Sequence, residues 1–115
     1  MADRLDERTT ADCAAAAFPE AAGTVVYADR AVRPAGEVHL GDGSVVTSVA
    51  CVVVFRDEMP GANWMHPCSY ALVDPDSRTV VAVRASDRPP VFGRLPESWI
   101  VVSDPDQRAD LVEGR

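Results

Sequence analysis

Lysine is absent from this 115-residue chain, and all eleven cations are arginine. Eighteen carboxylates outnumber them, giving a formal charge of −7. A phosphate backbone is held by several cations on one face, so an acidic chain without a basic cluster argues against nucleic acid. The missing lysine itself reads as the trait of a high-G+C genome, which also favours Ala, Val, Asp and Pro. Long apolar runs are missing too. A membrane helix needs about 18 or more apolar residues in succession, and no such run occurs, so no membrane span is expected. A secretory leader wants cations and then an apolar run. Met1 to Arg8 is instead mixed in charge, and Ala14 to Ala17 is short and follows acids. A cytoplasmic protein is the expectation.

Cysteine is scarce: Cys13, Cys51 and Cys68 form neither a Cys-x-x-Cys pair nor an even framework. In a reducing compartment such thiols serve as small core residues. Only two histidines occur, His39 and His66. What is present is ordinary for a globular protein, 47% apolar and 25% charged. The length predicts a single α+β domain over residues 1–115, with disorder confined to the ends, residues 1–8 above all. A chain of this size buries roughly two-thirds of its unfolded surface, enough to fold without staples.

In chain order, Asp6 to Ala22 predicts a helix, with Thr9 or Thr10 able to cap and Ala14 to Ala17 of high propensity. Pro19 removes a helical hydrogen bond, so the helix ends near Phe18 or restarts there. Thr24 to Asp29 is β-branched and aromatic, which suits a strand. Glu37 to Leu40 and Ser44 to Ser48 flank Gly41-Asp42-Gly43 and predict a tight hairpin, whose second arm extends, with a bend near Ser48, through Val49 to Arg56. Both faces of that extension are apolar, the mark of a strand covered on both sides. Cys68 to Val73 and Thr79 to Ala85 predict a second hairpin about Asp74-Pro75-Asp76-Ser77-Arg78. Asp87 to Pro96 is an irregular crossing, and Glu97 to Ser103 a last strand. Asp104-Pro105-Asp106-Gln107 carries a helix-start signature of capping Asp, proline at the first position and Gln beyond.

Together these predict an antiparallel sheet of about five to six strands, with the N-terminal helix on one face and a short C-terminal helix. Two-sided apolarity suggests more cover than one helix gives. A homodimer, packed sheet on sheet or through Trp64 and Trp99, would supply it.

The candidate chemistry crowds into the connection from Arg56 to Pro67 and its edges. Asp57, Glu58 and His66 offer an acid–base set, provided burial or a neighbouring charge moves a pKa toward neutrality. Cys68 could act as a nucleophile with His66 as base and an acid behind it. The plainer reading makes Cys68 a core residue under Tyr70 and Leu72. Asn63, Trp64, Met65 and Tyr70 are the candidate ligand-binding residues, since an indole and a thioether beside Met59 make a broad apolar lip. Zinc wants three or four converging ligands, and the spacing of His66, Cys68, Cys51 and Asp57 fits no such pattern, so no metal or other cofactor is expected. The favoured function is a small cytoplasmic accessory or binding protein, its pocket under the 57–68 connection taking a small molecule or peptide. The alternative is a small cofactor-free enzyme using His66 with Asp57 or Glu58, or Cys68, to tailor a peptide or metabolite.

Overall fold

A computed structural model of the protein describes residues 4–20, 22–60, 67–90 and 94–109. One helix, α1 (Glu7–Ala17), precedes seven strands: β1 (Val25–Asp29), β2 (Gly36–Leu40), β3 (Gly43–Thr47), β4 (Val52–Asp57), β5 (Cys68–Asp74), β6 (Thr79–Ser86) and β7 (Trp99–Ser103). Five strands form an antiparallel sheet in the order β6-β5-β4-β1-β7, while β2 and β3 pair only with each other. The α+β class and the antiparallel sheet under an N-terminal helix agree with the sequence reading. No described helix is long and apolar enough to cross a membrane.

The cap of α1 is Asp6, not Thr9 or Thr10: its Oδ1 accepts from the Thr9 amide at 2.7 Å. Thr10 instead turns inward, and its hydroxyl donates to the Asp6 carbonyl at 2.8 Å. The hydrogen bonds that the Asp6 carboxylate accepts from Thr9 hold it below its ordinary range. At the other end Phe18 leaves helical geometry, φ −134°, one residue before Pro19, because proline disfavours the α region in its predecessor. The Arg56 guanidinium lies 4.6 Å from the Phe18 ring centroid and ties the helix end to β4 by a cation–π contact.

Alternation along β4 divides the core into two layers. Val52 and Val54 face α1 and pack with Cys13, Ala14, Phe18, Val26 and Ala28. Cys51, Val53 and Phe55 face away and pack with Tyr27, Val38, Tyr70, Leu72 and Trp99. The second layer is closed by the β2–β3 hairpin, which inserts Val38 with Leu40 and Val45 beside it, and by Leu95 of the 87–98 crossing. Both faces of the sheet are therefore covered by the chain itself.

Two expectations are corrected. The second arm of the hairpin does not run on into β4: β3 stops at Thr47, whose hydroxyl donates to the Val49 carbonyl, and Cys51 then bridges to Arg33 before β4 enters the main sheet. No C-terminal helix occurs among the described residues. The Asp104 carboxylate accepts from the amides of Arg108 and Ala109, closing a compact turn, and Gln107 at φ +56° sits in the left-handed region that ends any helical run.

Candidate functional site

The ends of the 57–68 connection are pinned by the register of β4 against β5, which places Asp57 opposite Cys68. The Glu58 amide donates to the Pro67 carbonyl at 3.3 Å, closing the base of the connection. Asp57 is buried, and its Oδ1 accepts from the Met59 amide, a local Asx-type turn. Glu58 accepts from the Ser69 hydroxyl and lies 3.7 Å from Arg56. Both acids thus take part in shaping the connection. His66, Asn63, Trp64 and Met65 lie outside the described residues.

Cys68 is buried among Tyr70, Leu72 and Phe55. Its thiol donates to the Arg88 carbonyl at 3.4 Å, and burial pushes its pKa up to about 11. A nucleophilic cysteine needs the opposite shift. Cys13 and Cys51 are also free, buried and shifted upward by desolvation. Two outcomes follow. The native protein at neutral pH should give almost no rapid reaction with a disulfide reagent, and all three thiols should react in guanidinium. Stability should also fall at alkaline pH. With the folded Cys68 value above the ordinary 9.0, the contribution is complete below about pH 9 and lost as pH rises toward about 11. Melting temperatures measured from pH 7 upward should stay level and then drop over that window, and the drop should shrink in Cys68→Ala.

A second constellation lies on the same layer of the core as Cys68, in a crevice of about 200 Å³ between the β2–β3 hairpin and the sheet. Val53 and Tyr70 form its floor, Trp99 one wall, Leu40 and His39 the hairpin side, and Pro90 and Pro96 the rim. Arg33 lines it as well and is held from behind by Asp29, which is buried and accepts from Arg33 Nη1 and from the Ala31 amide. Arg33 Nη1 also donates to the Ala31 carbonyl. Only that corner of the guanidinium is engaged among the described residues, so its planar fork can still receive an acceptor. His39 is exposed at the mouth, 3.6 Å from Glu37.

The turn of the hairpin is anchored against the crossing and the sheet, which sets the width of the crevice. Tyr70 Oη donates to the Arg88 carbonyl at 2.8 Å, fixing the crossing over the sheet, and burial pushes its pKa up. Gly41 in the hairpin turn fits beneath Pro89 where a side chain has no room. Arg84 of β6 reaches the hairpin from below, donating to the Ser44 carbonyl and lying 3.6 Å from Asp42.

Among the described sequence candidates, Tyr70 alone borders this crevice. Arg33, His39, Leu40 and Trp99 were not legible as a group, because their convergence depends on the hairpin folding back over the sheet. The one available signal was the placement of prolines and glycines on the two segments that must pass each other. Two larger depressions, about 460 Å³ beside Leu5 and Asp74 and about 350 Å³ along α1, are lined mainly by small or aliphatic residues with carboxylates or a serine at their edges. Among the described residues no three of His, Cys, Asp or Glu converge as a metal site would require. Compared with family models, curated proteins and solved structures, the chain matches none.

Proposed function

We propose that this protein is a small binding module of the reducing cytoplasm whose crevice between β2–β3 and the sheet accepts a compact apolar ligand with one carboxylate end. The reading rests on one observation: the crevice joins an indole, a phenol and aliphatic walls to a single guanidinium backed by a buried carboxylate. Concave apolar surface with a few convergent polar groups is the usual form of a small-molecule site. A volume of about 200 Å³ suits a single ring or short branched chain better than a drug-sized molecule. The ring would lie against Trp99, Val53 and Leu40, and its carboxylate would take the open fork of Arg33. The raised thiol pKa values favour binding over catalysis by cysteine.

Trp99 reports occupancy directly once Trp64 is replaced by Phe. Benzoate and cyclohexanecarboxylate should shift its emission saturably, with a Kd on the order of 1 mM, as about −4 kcal/mol implies. The matching alcohols should bind more weakly. Leu40→Trp, followed by ligand-observed NMR because it adds a second indole, should abolish binding of both. Arg33→Gln paired with Asp29→Asn, which avoids leaving a buried carboxylate unpaired, should erase the preference for the acid. An unchanged emission across the series, or a response indifferent to Leu40→Trp, contradicts the reading.

A further inference from the structure

The β2–β3 hairpin is a sheet of its own, and neither outer edge pairs with another strand among the described residues. The two edges differ. Leu40 pairs with Gly43 across a two-residue turn, so these residues exchange both main-chain hydrogen bonds. Bonded and non-bonded pairs alternate along an antiparallel ladder, which makes Val38 with Val45 the next bonded pair. His39, and Glu37 beyond Val38, hold the other positions, where N–H and C=O point outward from β2. Ser44 and Val46 do the same on β3, and there the Ser44 carbonyl accepts from Arg84 Nη1 of β6. The β3 edge is therefore turned toward β6. The β2 edge is turned the other way, toward Trp99, Pro96 and Arg33, which line the crevice together with His39 and Leu40. The His39 side chain is 78% exposed, on the face opposite to the buried Val38. What His39 lends to the crevice is chiefly its main chain.

We propose, resting on the reading that the crevice binds a carboxylate, that its ligand is the C-terminal residue of an extended peptide, which joins β2 as an antiparallel strand. Arg33 precedes β2 in the chain, and a strand antiparallel to β2 ends toward that side. The α-carboxylate then meets the open fork of Arg33, and the terminal side chain fills the space between Val53, Leu40 and Trp99. A volume of about 200 Å³ admits the side chain of leucine, valine or phenylalanine. One step back, the peptide main chain pairs with the N–H and C=O of His39. A strand edge, an apolar hole and a cation for the chain end are together the elements by which sheets capture peptide termini. A free aliphatic acid uses only the hole and the cation and leaves the edge unmatched. The side chains of Glu37 and His39 do not obstruct that edge, since they lie on the outer face, where Glu37 accepts from Ser44 Oγ.

Peptide length separates strand addition from carboxylate binding as such. Acetyl-leucine and acetyl-Ala-Ala-Ala-Leu, each as the free acid, are titrated against the Trp64→Phe protein and followed by Trp99 emission. The longer peptide should bind about tenfold more tightly, the effect of two further main-chain hydrogen bonds. Amidation of its C-terminus should weaken it by about tenfold or more. N-methylation of successive peptide amides should cost about fivefold at one and almost nothing at the next, because a paired strand turns alternate amides toward its neighbour. His39→Pro deletes an amide that lies outside the hairpin ladder, and it should bring the longer peptide down to the affinity of acetyl-leucine. Equal affinity of the two peptides, with benzoate still bound, overturns strand addition and leaves the crevice reading standing. An N-methylation series without alternation also overturns it, as does an undiminished gain in His39→Pro. Failure of benzoate and both peptides alike overturns the two readings together.

Discussion

Phe55→Ala is expected to destabilise the protein by about 3–5 kcal/mol, the range for truncating a buried aromatic ring. Phe55 is fully buried on the central strand, its ring 6.0 Å from that of Tyr27 and 5.1 Å from that of Tyr70. These three rings run across β1, β4 and β5 beneath the hairpin, so the cavity left by alanine has rigid backbone on two sides and cannot collapse. Domains of ordinary stability hold about 5–15 kcal/mol in all, and the variant should sit near the edge of folding at 37 °C. Phe55→Leu should cost far less, on the order of 1.5 kcal/mol or below, because most of the volume is retained. Urea unfolding followed by circular dichroism reads both, with the slope unchanged if the folded state keeps its compactness. A loss under about 1 kcal/mol for alanine would mean that this layer is not the packed core of the fold.

Gly41→Ala should be nearly as damaging for a different reason. Its backbone is not in the left-handed region, so the cost is steric: an added Cβ would run into the Pro89 carbonyl oxygen and stand 2.6 Å from Tyr70 Oη. Either the crossing lifts or the Tyr70–Arg88 hydrogen bond breaks. Overpacking costs about 1–3 kcal/mol, and the lost hydrogen bond adds about 1 kcal/mol, for a fall in Tm of roughly 10 °C or more. The two substitutions share a contact, so they should not add. Tyr70→Phe should cost less in the Gly41→Ala background than in the wild type, by more than the error of the cycle. Because the same contact sets the width of the crevice, Gly41→Ala should also weaken ligand binding. Additive costs with unchanged binding would separate the turn from the site.

Much of the fold was legible before any coordinates, and for definite reasons. A strand apolar on both faces must be covered twice, and Val52 to Phe55 announces this in four consecutive residues. Turn chemistry is equally local: Gly41-Asp42-Gly43 and Asp74-Pro75-Asp76 each close a hairpin where the sequence places them. What covers the second face was not legible. Val38 reaches the core only because the hairpin leaves the sheet at Thr47, and no periodicity marks that departure. The C-terminal signature misled because a capping aspartate satisfies the same amides in an isolated turn as in a helix. Asp104 does so here, and Gln107 then turns the chain away. The register that sets Asp57 opposite Cys68 was not read from the sequence, and neither was the convergence of Arg33, His39, Tyr70 and Trp99, which joins four elements separated in sequence and rests on the fit of Gly41 beneath Pro89.

Mapping amide and indole shifts of the labelled protein during titration with cyclohexanecarboxylate tests the site most directly. The perturbations should cluster on Leu40, Val53, Tyr70, the Trp99 indole and the Arg33 side chain, and vanish in Leu40→Trp. Shifts gathered instead around Met59 and Pro67, or beside Leu5 and Asp74, would contradict the assignment of the crevice, as would a spectrum that never moves.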